Sequence, residues 1–306
     1  MLSTRPVSKP RAANIINKIV DNFVAVTSDD AKCGEHTNLC GAGEGLDQRV
    51  LNGISVHVTC AGPQDRPVVL MSNSLAADLT MWHGQAEALA QTYRVIRYDT
   101  RGHGRSEASQ GDYSLDLLVD DVLALLDAFN VDQVHFVGLS LGGMIGQLLG
   151  ARAPKRVKSL ILCATFAQTS YELWDQRIAA VRASGLTPIV DGTVERWLTA
   201  PFRATHDDVI KAARAMISKT SVDGYAGCAA AIRDMDLTHA AEKITAPTLL
   251  IAGAEDPSAT PDMMRALHGR IRGSEFTVLP DAAHVFTLEK PQAVAERIGT
   301  FLAKQD

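Results

Sequence analysis

Short, nearly continuous apolar runs recur along the chain, each bounded by turn-forming residues. Runs of this kind are typical of strands that are buried on both faces of a parallel sheet. They predict strands, in chain order, at residues 67–72, 93–98, 134–137, 157–163, 247–252 and 275–279. Ahead of them, alternating apolar residues around Asn52-Gly53 predict an antiparallel hairpin over residues 50–58.

Apolar residues at helical spacing separate these predicted strands. They predict helices at residues 81–91, from the N-cap Ser114 to Phe129, from Met144 onward, and from Pro291 to Phe301. Strands that alternate with helices form parallel sheets. The sequence therefore predicts an α/β fold, with a mostly parallel central sheet and helices on both of its faces.

Between residues 164 and 246 the strand pattern disappears, and four helical patterns take its place at residues 171–183, 193–198, 207–218 and 225–233. A helical block inserted between strands is typical of a lid over a site. We therefore expect a core of residues 49–163 and 247–306 with a lid formed by residues 164–246. Candidate contacts in the lid are two tryptophans, Trp174 and Trp197, and the arginines Arg177, Arg196, Arg203 and Arg233. One or two of the arginines are expected to pair with an anionic substrate, and the spacing does not indicate which.

The first 48 residues differ from the rest of the chain. Residues 33–45 are rich in glycine and lack periodicity, which predicts a flexible extension. Cys33, His36 and Cys40 do not have the spacing of a zinc site, so no metal is expected there. The five cysteines of the chain are odd in number and scattered, which indicates a reducing, cytoplasmic location.

The composition excludes several classes of partner. The chain has 306 residues, of which 46% are hydrophobic, and its net charge is −5. Because no long run of one charge sign occurs, neither nucleic acid nor an anionic membrane is expected as a partner. No apolar stretch of about 18 residues is present, so no transmembrane helix is expected. The sequence does not indicate an oligomeric state.

A Gly-x-Ser-x-Gly motif occupies residues 138–142, between a predicted buried strand and a predicted helix. On such a turn the serine hydroxyl is presented above the sheet, and the glycines leave room for the crossing chain. The N–H groups at the start of the helix favour a developing negative charge. Ser140 is therefore predicted to be a catalytic nucleophile.

Two further polar residues lie just past the ends of predicted strands, at the sheet edge where Ser140 is expected. They are Asp256 and His284. The chain order Ser, Asp, His predicts His284 as a general base and Asp256 as the acid that orients it. Glu255 and Asp281 are the alternative acids.

The loop that follows the predicted strand at residues 67–72 is the expected source of an oxyanion hole. In serine hydrolases of this architecture, one backbone N–H comes from that loop and another from the residue after the nucleophile. These positions are Leu75 and Leu141. His103 lies between two glycines in a tight loop ahead of the nucleophile, and we expect it to have a structural role.

Five sequence blocks carry a family resemblance. They are Ser-Asn-Ser-Leu at 72–75, Arg-Tyr-Asp-Thr-Arg-Gly-His-Gly at 97–104, Gly-Leu-Ser-Leu-Gly-Gly-Met at 138–144, Glu-Arg-Trp at 195–197 and the Gly-Tyr block at 224–236. With these blocks, residues 49–302 resemble the α/β-hydrolase family, and more narrowly its 3-oxoadipate enol-lactonases. The first 48 residues have no counterpart in that resemblance.

The resemblance implies a cofactor-free serine hydrolase that opens a small carboxylated enol-lactone, as in the breakdown of aromatic compounds. Ser140, Asp256 and His284 match the family's triad positions, and Leu75 and Leu141 match its oxyanion positions. The candidate residues of the substrate pocket are Ser74, Trp174, Trp197, Arg196 and Phe286.

This chain departs from the family pattern at two places near the expected site. The family usually has Gly after Ser-Asn-Ser-Leu, whereas Ala76 stands here and is expected to narrow the pocket mouth. The family usually has Leu-Ser-Asn after the catalytic His, whereas residues 285–287 are the bulkier Val-Phe-Thr. A carboxylesterase, another lactonase and a C–C bond hydrolase are therefore alternatives. A ligand receptor on the same scaffold is an alternative without catalysis.

Overall fold

A computed structural model of the chain describes residues 45–306. Eight strands form one sheet: β1 (Gly45–Leu51), β2 (Ile54–Ala61), β3 (Val68–Ser72), β4 (Arg94–Tyr98), β5 (Val134–Leu139), β6 (Val157–Cys163), β7 (Thr248–Gly253) and β8 (Glu275–Leu279). Their order across the sheet is β1-β2-β4-β3-β5-β6-β7-β8. The pairs β1–β2 and β2–β4 are antiparallel, and every later pair is parallel. The predicted mostly parallel sheet is confirmed.

The amino-terminal hairpin starts earlier than expected. Its turn has φ of 46° at Asn52 and 80° at Gly53, the left-handed angles that a two-residue hairpin turn requires. Strand β1 begins at Gly45, so the last four residues assigned to the extension belong to the sheet. Pairing with β2 provides these residues with backbone hydrogen bonds that a periodicity argument does not detect. The rest of the predicted extension, with Cys33, His36 and Cys40, lies outside the described residues.

Twelve α-helices occur in the described part of the chain. They are α1 (His83–Leu89), α2 (Leu115–Ala128), α3 (Leu141–Arg152), α4 (Tyr171–Ser184), α5 (Val190–Trp197), α6 (Ala200–Arg203), α7 (Asp207–Lys219), α8 (Val222–Arg233), α9 (Thr238–Glu242), α10 (Pro261–Arg270), α11 (Phe286–Glu289) and α12 (Pro291–Leu302). Short 3-10 helices lie at Leu79–Trp82, Pro154–Arg156 and Thr187–Ile189. None of the helices in this part of the chain is long and apolar enough to cross a bilayer.

The centre of the sheet is the core of the molecule. Every residue of β3, β5 and β7 is buried, as expected for strands covered by helices on both faces. Strand β8 lies at the edge, and most of its residues are partly or fully exposed. The parallel strands β5 to β8 therefore end together at one edge, with β5 in the buried centre of the sheet.

Helices α4 to α9 form an insertion between β6 and β7. The four helical patterns expected here correspond to α4, α5, α7 and α8, although α5 begins at Val190, three residues earlier than expected. The short helices α6 and α9 were not predicted, because four or five residues are too few to establish a 3.6-residue period. Helix α9 packs against α3 and α10, so the end of the insertion lies on the core.

Candidate active site

The backbone of Ser140 has φ of 55° and ψ of −111°, which side chains of L-residues rarely adopt. Two hydrogen bonds hold this conformation. The Ser140 N–H donates to the carbonyl oxygen of Cys163 at 2.9 Å, and Oγ1 of Thr165 donates to the Ser140 carbonyl oxygen at 2.9 Å. The serine therefore lies on a constrained turn between β5 and α3, as the motif predicts.

The two glycines of the motif are required by close backbone packing. A Cβ on Gly138 would lie 2.2 Å from the carbonyl oxygen of Gly142. A Cβ on Gly142 would lie 2.3 Å from the carbonyl oxygen of Ser72, at the end of β3. Side chains at either position would push the helix away from the strand and displace Ser140.

The loop after β3 is joined to the serine turn by a backbone hydrogen bond. The N–H of Gly142 donates to the carbonyl oxygen of Asn73 at 3.0 Å, and Nδ2 of Asn73 donates to the carbonyl oxygen of Tyr98 at 2.9 Å. Within residues 45–306, no acceptor is recorded for the backbone N–H of Leu75 or of Leu141. Both groups are therefore free to donate to an oxyanion.

His284 and Asp256 are in contact. Nδ1 of His284 lies 2.8 Å from Oδ2 of Asp256, and both side chains are almost fully buried. Oδ1 of Asp256 accepts from the N–H groups of Ser258 at 2.7 Å and Ala259 at 3.0 Å. Burial acts to raise the pKa of Asp256, but His284 and these donors outweigh it, so that the pKa lies below its usual value. The carboxylate is therefore held ionised and aimed at the ring.

The loops that carry these two residues are bonded to each other. The N–H of Glu255 donates to the carbonyl oxygen of Ala282 at 2.9 Å, next to the contact between the side chains. Glu255 itself and Asp281, the alternative acids, are exposed. Because β5 to β8 are parallel neighbours, Ser140, Asp256 and His284 all follow strand ends at the same edge of the sheet.

The loop of His284 is also bonded to the helical insertion. The N–H of Val285 donates to the carbonyl oxygen of Trp197 at 2.9 Å. Oε2 of Glu289 accepts from the N–H of Ala283 at 2.7 Å, and Oε1 accepts from the N–H of Thr199 at 2.6 Å. Burial raises the pKa of Glu289, although the two donors act in the opposite direction. Sequence reasoning missed Glu289, because an acid in the last turn before Pro291 gives no local signal of burial.

The arginines of the insertion fall into different environments. Arg233 pairs with Asp112, Asp175 and Asp234 and is thereby committed to surface ion pairs. By contrast, no ion pair joins Arg177 or Arg196 to a carboxylate within the part of the chain that the structure describes. Arg177 lies over the Trp174 ring at 5.0 Å, and Nη2 of Arg196 donates to Oγ1 of Thr193 at 3.0 Å.

Arg177 and Arg196 are close enough to influence each other and a tyrosine. Burial, and after it the charge of Arg177, lowers the pKa of Arg196. Burial raises the pKa of Tyr225, and both arginines oppose that shift. Arg177 was one of the arginines among which the sequence could not choose, because surface and pocket arginines have the same sequence pattern. Tyr225 was not among the predicted pocket residues.

The remaining pocket candidates are all buried: Ser74, Trp174, Trp197 and Phe286. Nε1 of Trp174 donates to Oγ1 of Thr169 at 3.0 Å. Trp197 is the residue whose carbonyl binds the His284 loop. Phe286 is fully covered, so in this conformation its ring lies beneath the surface rather than on it.

His103 is buried, and its Nδ1 lies 3.0 Å from the carbonyl oxygen of Arg101, an arrangement that fits the expected structural role. Desolvation lowers the pKa of His103. Among residues 45–306, no group of three or more His, Cys, Asp or Glu side chains is arranged to hold a metal ion.

The sequence of the chain matches a known protein family. A family model described as the alpha/beta hydrolase fold matches residues 67–291 of the chain. The chain belongs to the α/β-hydrolase family. The expected family and fold are both confirmed, and as a member of this family the protein is a hydrolase.

Relatives within the α/β-hydrolase family include enol-lactonases. The 3-oxoadipate enol-lactonase 2 of Acinetobacter baylyi is 36% identical over 248 residues, which are 81% of this chain and 92% of that protein. The crystal structure of the enol-lactonase from Burkholderia xenovorans LB400 matches with a TM-score of 0.82 at 36% identity, covering 84% of this chain and 100% of that one. A thermophilic esterase from Thermogutta terrifontis matches with a TM-score of 0.80 at 27% identity, covering 85% of this chain and 99% of that one.

Proposed function

We propose that this α/β-hydrolase is a serine hydrolase that opens a small carboxylated lactone, in the manner of a 3-oxoadipate enol-lactonase. The observation that carries the proposal is the buried contact of 2.8 Å between His284 and Asp256, at the sheet edge where Ser140 begins its helix. The enol-lactonases among its relatives support the substrate class. Breakdown of aromatic compounds is the metabolic setting that this chemistry fits.

The reaction proceeds in two halves. In the first, Nε2 of His284 takes the proton of the Ser140 hydroxyl as Oγ attacks the lactone carbonyl carbon. The oxyanion accepts hydrogen bonds from the N–H groups of Leu75 and Leu141. When the intermediate collapses, the ring C–O bond breaks, His284 returns its proton to the departing enol oxygen, and an acyl-enzyme remains.

In the second half, water replaces the enol oxygen. His284 takes a proton from a water molecule as its oxygen attacks the acyl carbon. Collapse of this intermediate breaks the bond to Oγ, and His284 returns the proton to Ser140. The products are free enzyme and the ring-opened carboxylic acid. Throughout both halves the ionised Asp256 holds the imidazole and stabilises its cation.

An anionic substrate is part of the proposal. Arg177 and Arg196 are brought together beside Tyr225 without a carboxylate partner among the described residues. Two cations held near each other in a partly buried position favour an anion between them. We propose that helices α4 to α9 cover the site as a lid and that these arginines bind the substrate carboxylate.

A cytoplasmic location also belongs to this proposal. Cys163 and Cys228 are free and buried, which is compatible with a reducing compartment. No metal or organic cofactor takes part in the proposed chemistry, and the oligomeric state is left open.

The decisive experiment is to incubate the purified protein with 3-oxoadipate enol-lactone and follow the loss of enol-lactone absorbance. We expect turnover by the wild type and none above background with Ser140→Ala, whose folding is checked by circular dichroism. Failure of the wild type to consume the lactone would refute the proposed substrate. Unchanged turnover by Ser140→Ala would refute the proposed nucleophile.

A carboxylesterase is the second candidate, and the similarity to the Thermogutta terrifontis esterase favours it. A series of p-nitrophenyl esters of increasing acyl length separates the two. A small pocket with two arginines should prefer the carboxylated lactone and reject long acyl chains. Faster hydrolysis of a neutral ester than of the lactone would favour the esterase.

A further inference from the structure

Glu289 is a buried acid with both carboxylate oxygens engaged by backbone donors. It lies at the end of α11, and only 7% of its surface is exposed. Oε1 accepts from the N–H of Thr199 at 2.6 Å, and Oε2 accepts from the N–H of Ala283 at 2.7 Å. Thr199 belongs to the helical insertion, whereas Ala283 precedes His284. One side chain therefore links two segments that are 84 residues apart in the sequence.

The backbone around His284 is held on both sides. On one side the N–H of Ala283 is bound by Glu289, and on the other the N–H of Val285 is bound by the carbonyl oxygen of Trp197. Both attachments involve residues 197–199 of the insertion, one directly and one through Glu289. The position of the His284 backbone thus depends on the position of residues 197–199.

A carboxylate is an expensive group to bury, and packing alone would be served by an apolar residue. Two short charge-assisted hydrogen bonds compensate for the lost hydration and fix the geometry of both donors. A buried carboxylate is expected at this position, in place of an apolar residue, if the placement of the two segments matters for chemistry. A general base must be held within a fraction of an ångström of its partners.

We propose that Glu289 is a positioning residue, which holds the His284 loop against residues 197–199. The general base is then correctly placed only while these residues are bound to Glu289 and to the His284 loop. This inference rests on the proposed function, because it takes His284 to be the base. Glu289 does not touch the reacting atoms, and it acts through the backbone on either side of His284.

The first test replaces Glu289 by Gln. The amide has one acceptor oxygen, so one of the two N–H groups would face an NH₂ donor instead. The readout is the second-order rate constant of Ser140 labelling by a fluorophosphonate. It is combined with kcat of the unlabelled enzyme, divided by the concentration of active sites that the same probe titrates. We expect both to fall at least about tenfold. Glu296→Gln, which removes an exposed acid from α12, is the matched control and should leave both unchanged.

The second test acts on the other end of the link. Thr199 has φ of −63° and ψ of 153°, which proline can adopt, so Thr199→Pro removes the donor without straining φ. Thr199→Ala keeps the N–H group and removes only the side chain, which caps α6. We expect the proline variant to be labelled at least about fivefold more slowly than the alanine variant. Should Glu289→Gln fail to fold, this pair decides.

The outcomes separate the inference from the proposed function. If the wild type is labelled and Glu289→Gln is less stable but is labelled at the wild-type rate per folded molecule, Glu289 is only structural and the inference is wrong. Equal rates for the two Thr199 variants would also overturn it. If Ser140 of the wild type is not labelled at all, the proposed function fails, and the inference fails with it.

Discussion

Gly102 and Gly224 contact each other through their backbones, with no side chain between them. A Cβ on Gly102 would lie 2.2 Å from Cα of Gly224, and a Cβ on Gly224 would lie 2.3 Å from the carbonyl oxygen of Gly102. Gly102 lies in the loop after β4, and Gly224 lies in the first turn of α8. The contact seats the helical insertion directly on the core, about 120 residues away in sequence.

This contact predicts a large cost for one added methyl group. We expect Gly224→Ala to lower the free energy of unfolding by about 2 kcal/mol, because backbone atoms on both sides cannot move aside easily. Gly269→Ala in α10 is the control, since a Cβ there has no neighbour within 4 Å. It should raise stability by ~0.5 to 1 kcal/mol. Urea unfolding of the three proteins measures both, and equal effects of the two substitutions would contradict the packing argument.

Much of this architecture could be predicted from the sequence because the central strands are buried on both faces and therefore almost wholly apolar. Asp256 and His284 come just past strand ends in the sequence, and this was enough to predict that both lie at one edge of the sheet. The motif at residues 138–142 located the constrained serine, because its glycines are needed for local backbone packing. In each case the signal lies in residues that are neighbours in the sequence.

The features that escaped prediction depend on contacts between distant segments. Glu289 is recognisable only when Thr199 and Ala283 are seen on either side of its carboxylate. Arg233 pairs with Asp112 and Asp175 from other segments as well as with its neighbour Asp234, whereas Arg177 and Arg196 form no ion pair with a carboxylate in the described part of the chain. Ala76 has φ of 65°, in the left-handed region that favours glycine, which explains why the family usually has glycine there. This chain nevertheless has a side chain at that position.

The acid of the proposed triad gives a second prediction. Asp256→Asn should lower kcat about 10³-fold or more, because an amide no longer holds the imidazole in the required tautomer or stabilises its cation. Lactone turnover at saturating substrate measures the effect. Glu255→Gln and Asp281→Asn are matched controls, since both acids are exposed, and each should retain near wild-type kcat. A loss with Glu255→Gln as large as that with Asp256→Asn would overturn the assignment of the acid.

Arg177 and Arg196 give a third prediction. Arg196→Gln and Arg177→Gln should each raise KM for the carboxylated lactone about 10- to 100-fold, which corresponds to the loss of one charge-assisted hydrogen bond. Neither should change the hydrolysis of neutral p-nitrophenyl acetate by more than about twofold, because that ester has no carboxylate to bind.

The control for the arginine variants is Arg214→Gln. Arg214 belongs to the same insertion but is exposed and pairs with Asp191, so its loss should leave KM unchanged. If this surface substitution raised KM as much as Arg196→Gln, the effect would come from the overall field of the protein rather than from a binding site. Equal losses on the lactone and on the neutral ester would argue against carboxylate recognition.

Asp78 gives a prediction about pH and stability. It lies just after the proposed oxyanion loop, and Oδ1 accepts from the N–H of Thr80 at 2.9 Å. Burial, and after it repulsion from Asp99, raises the pKa of Asp78 from 3.8 to about 6. A pKa that is higher in the folded than in the unfolded state contributes stability below pH 4. That contribution is lost as pH rises through about 6, where the folded protein must ionise a buried acid.

Replacing Asp78 by Asn should therefore help most at high pH. The amide oxygen still accepts from Thr80, and the variant has no charge to bury. Asp78→Asn should raise the free energy of unfolding above that of the wild type. We expect this increase to be about 1 kcal/mol larger at pH 8 than at pH 5. Urea unfolding at both pH values measures the difference, and Asp132→Asn, an exposed acid ahead of β5, should give the same difference from wild type at each pH. An advantage of Asp78→Asn that is equal at the two pH values, or larger at pH 5, would show that Asp78 is already ionised at pH 5. In that case, the cost of holding a charged Asp78 near Asp99 would already be complete at pH 5 and would not increase with pH.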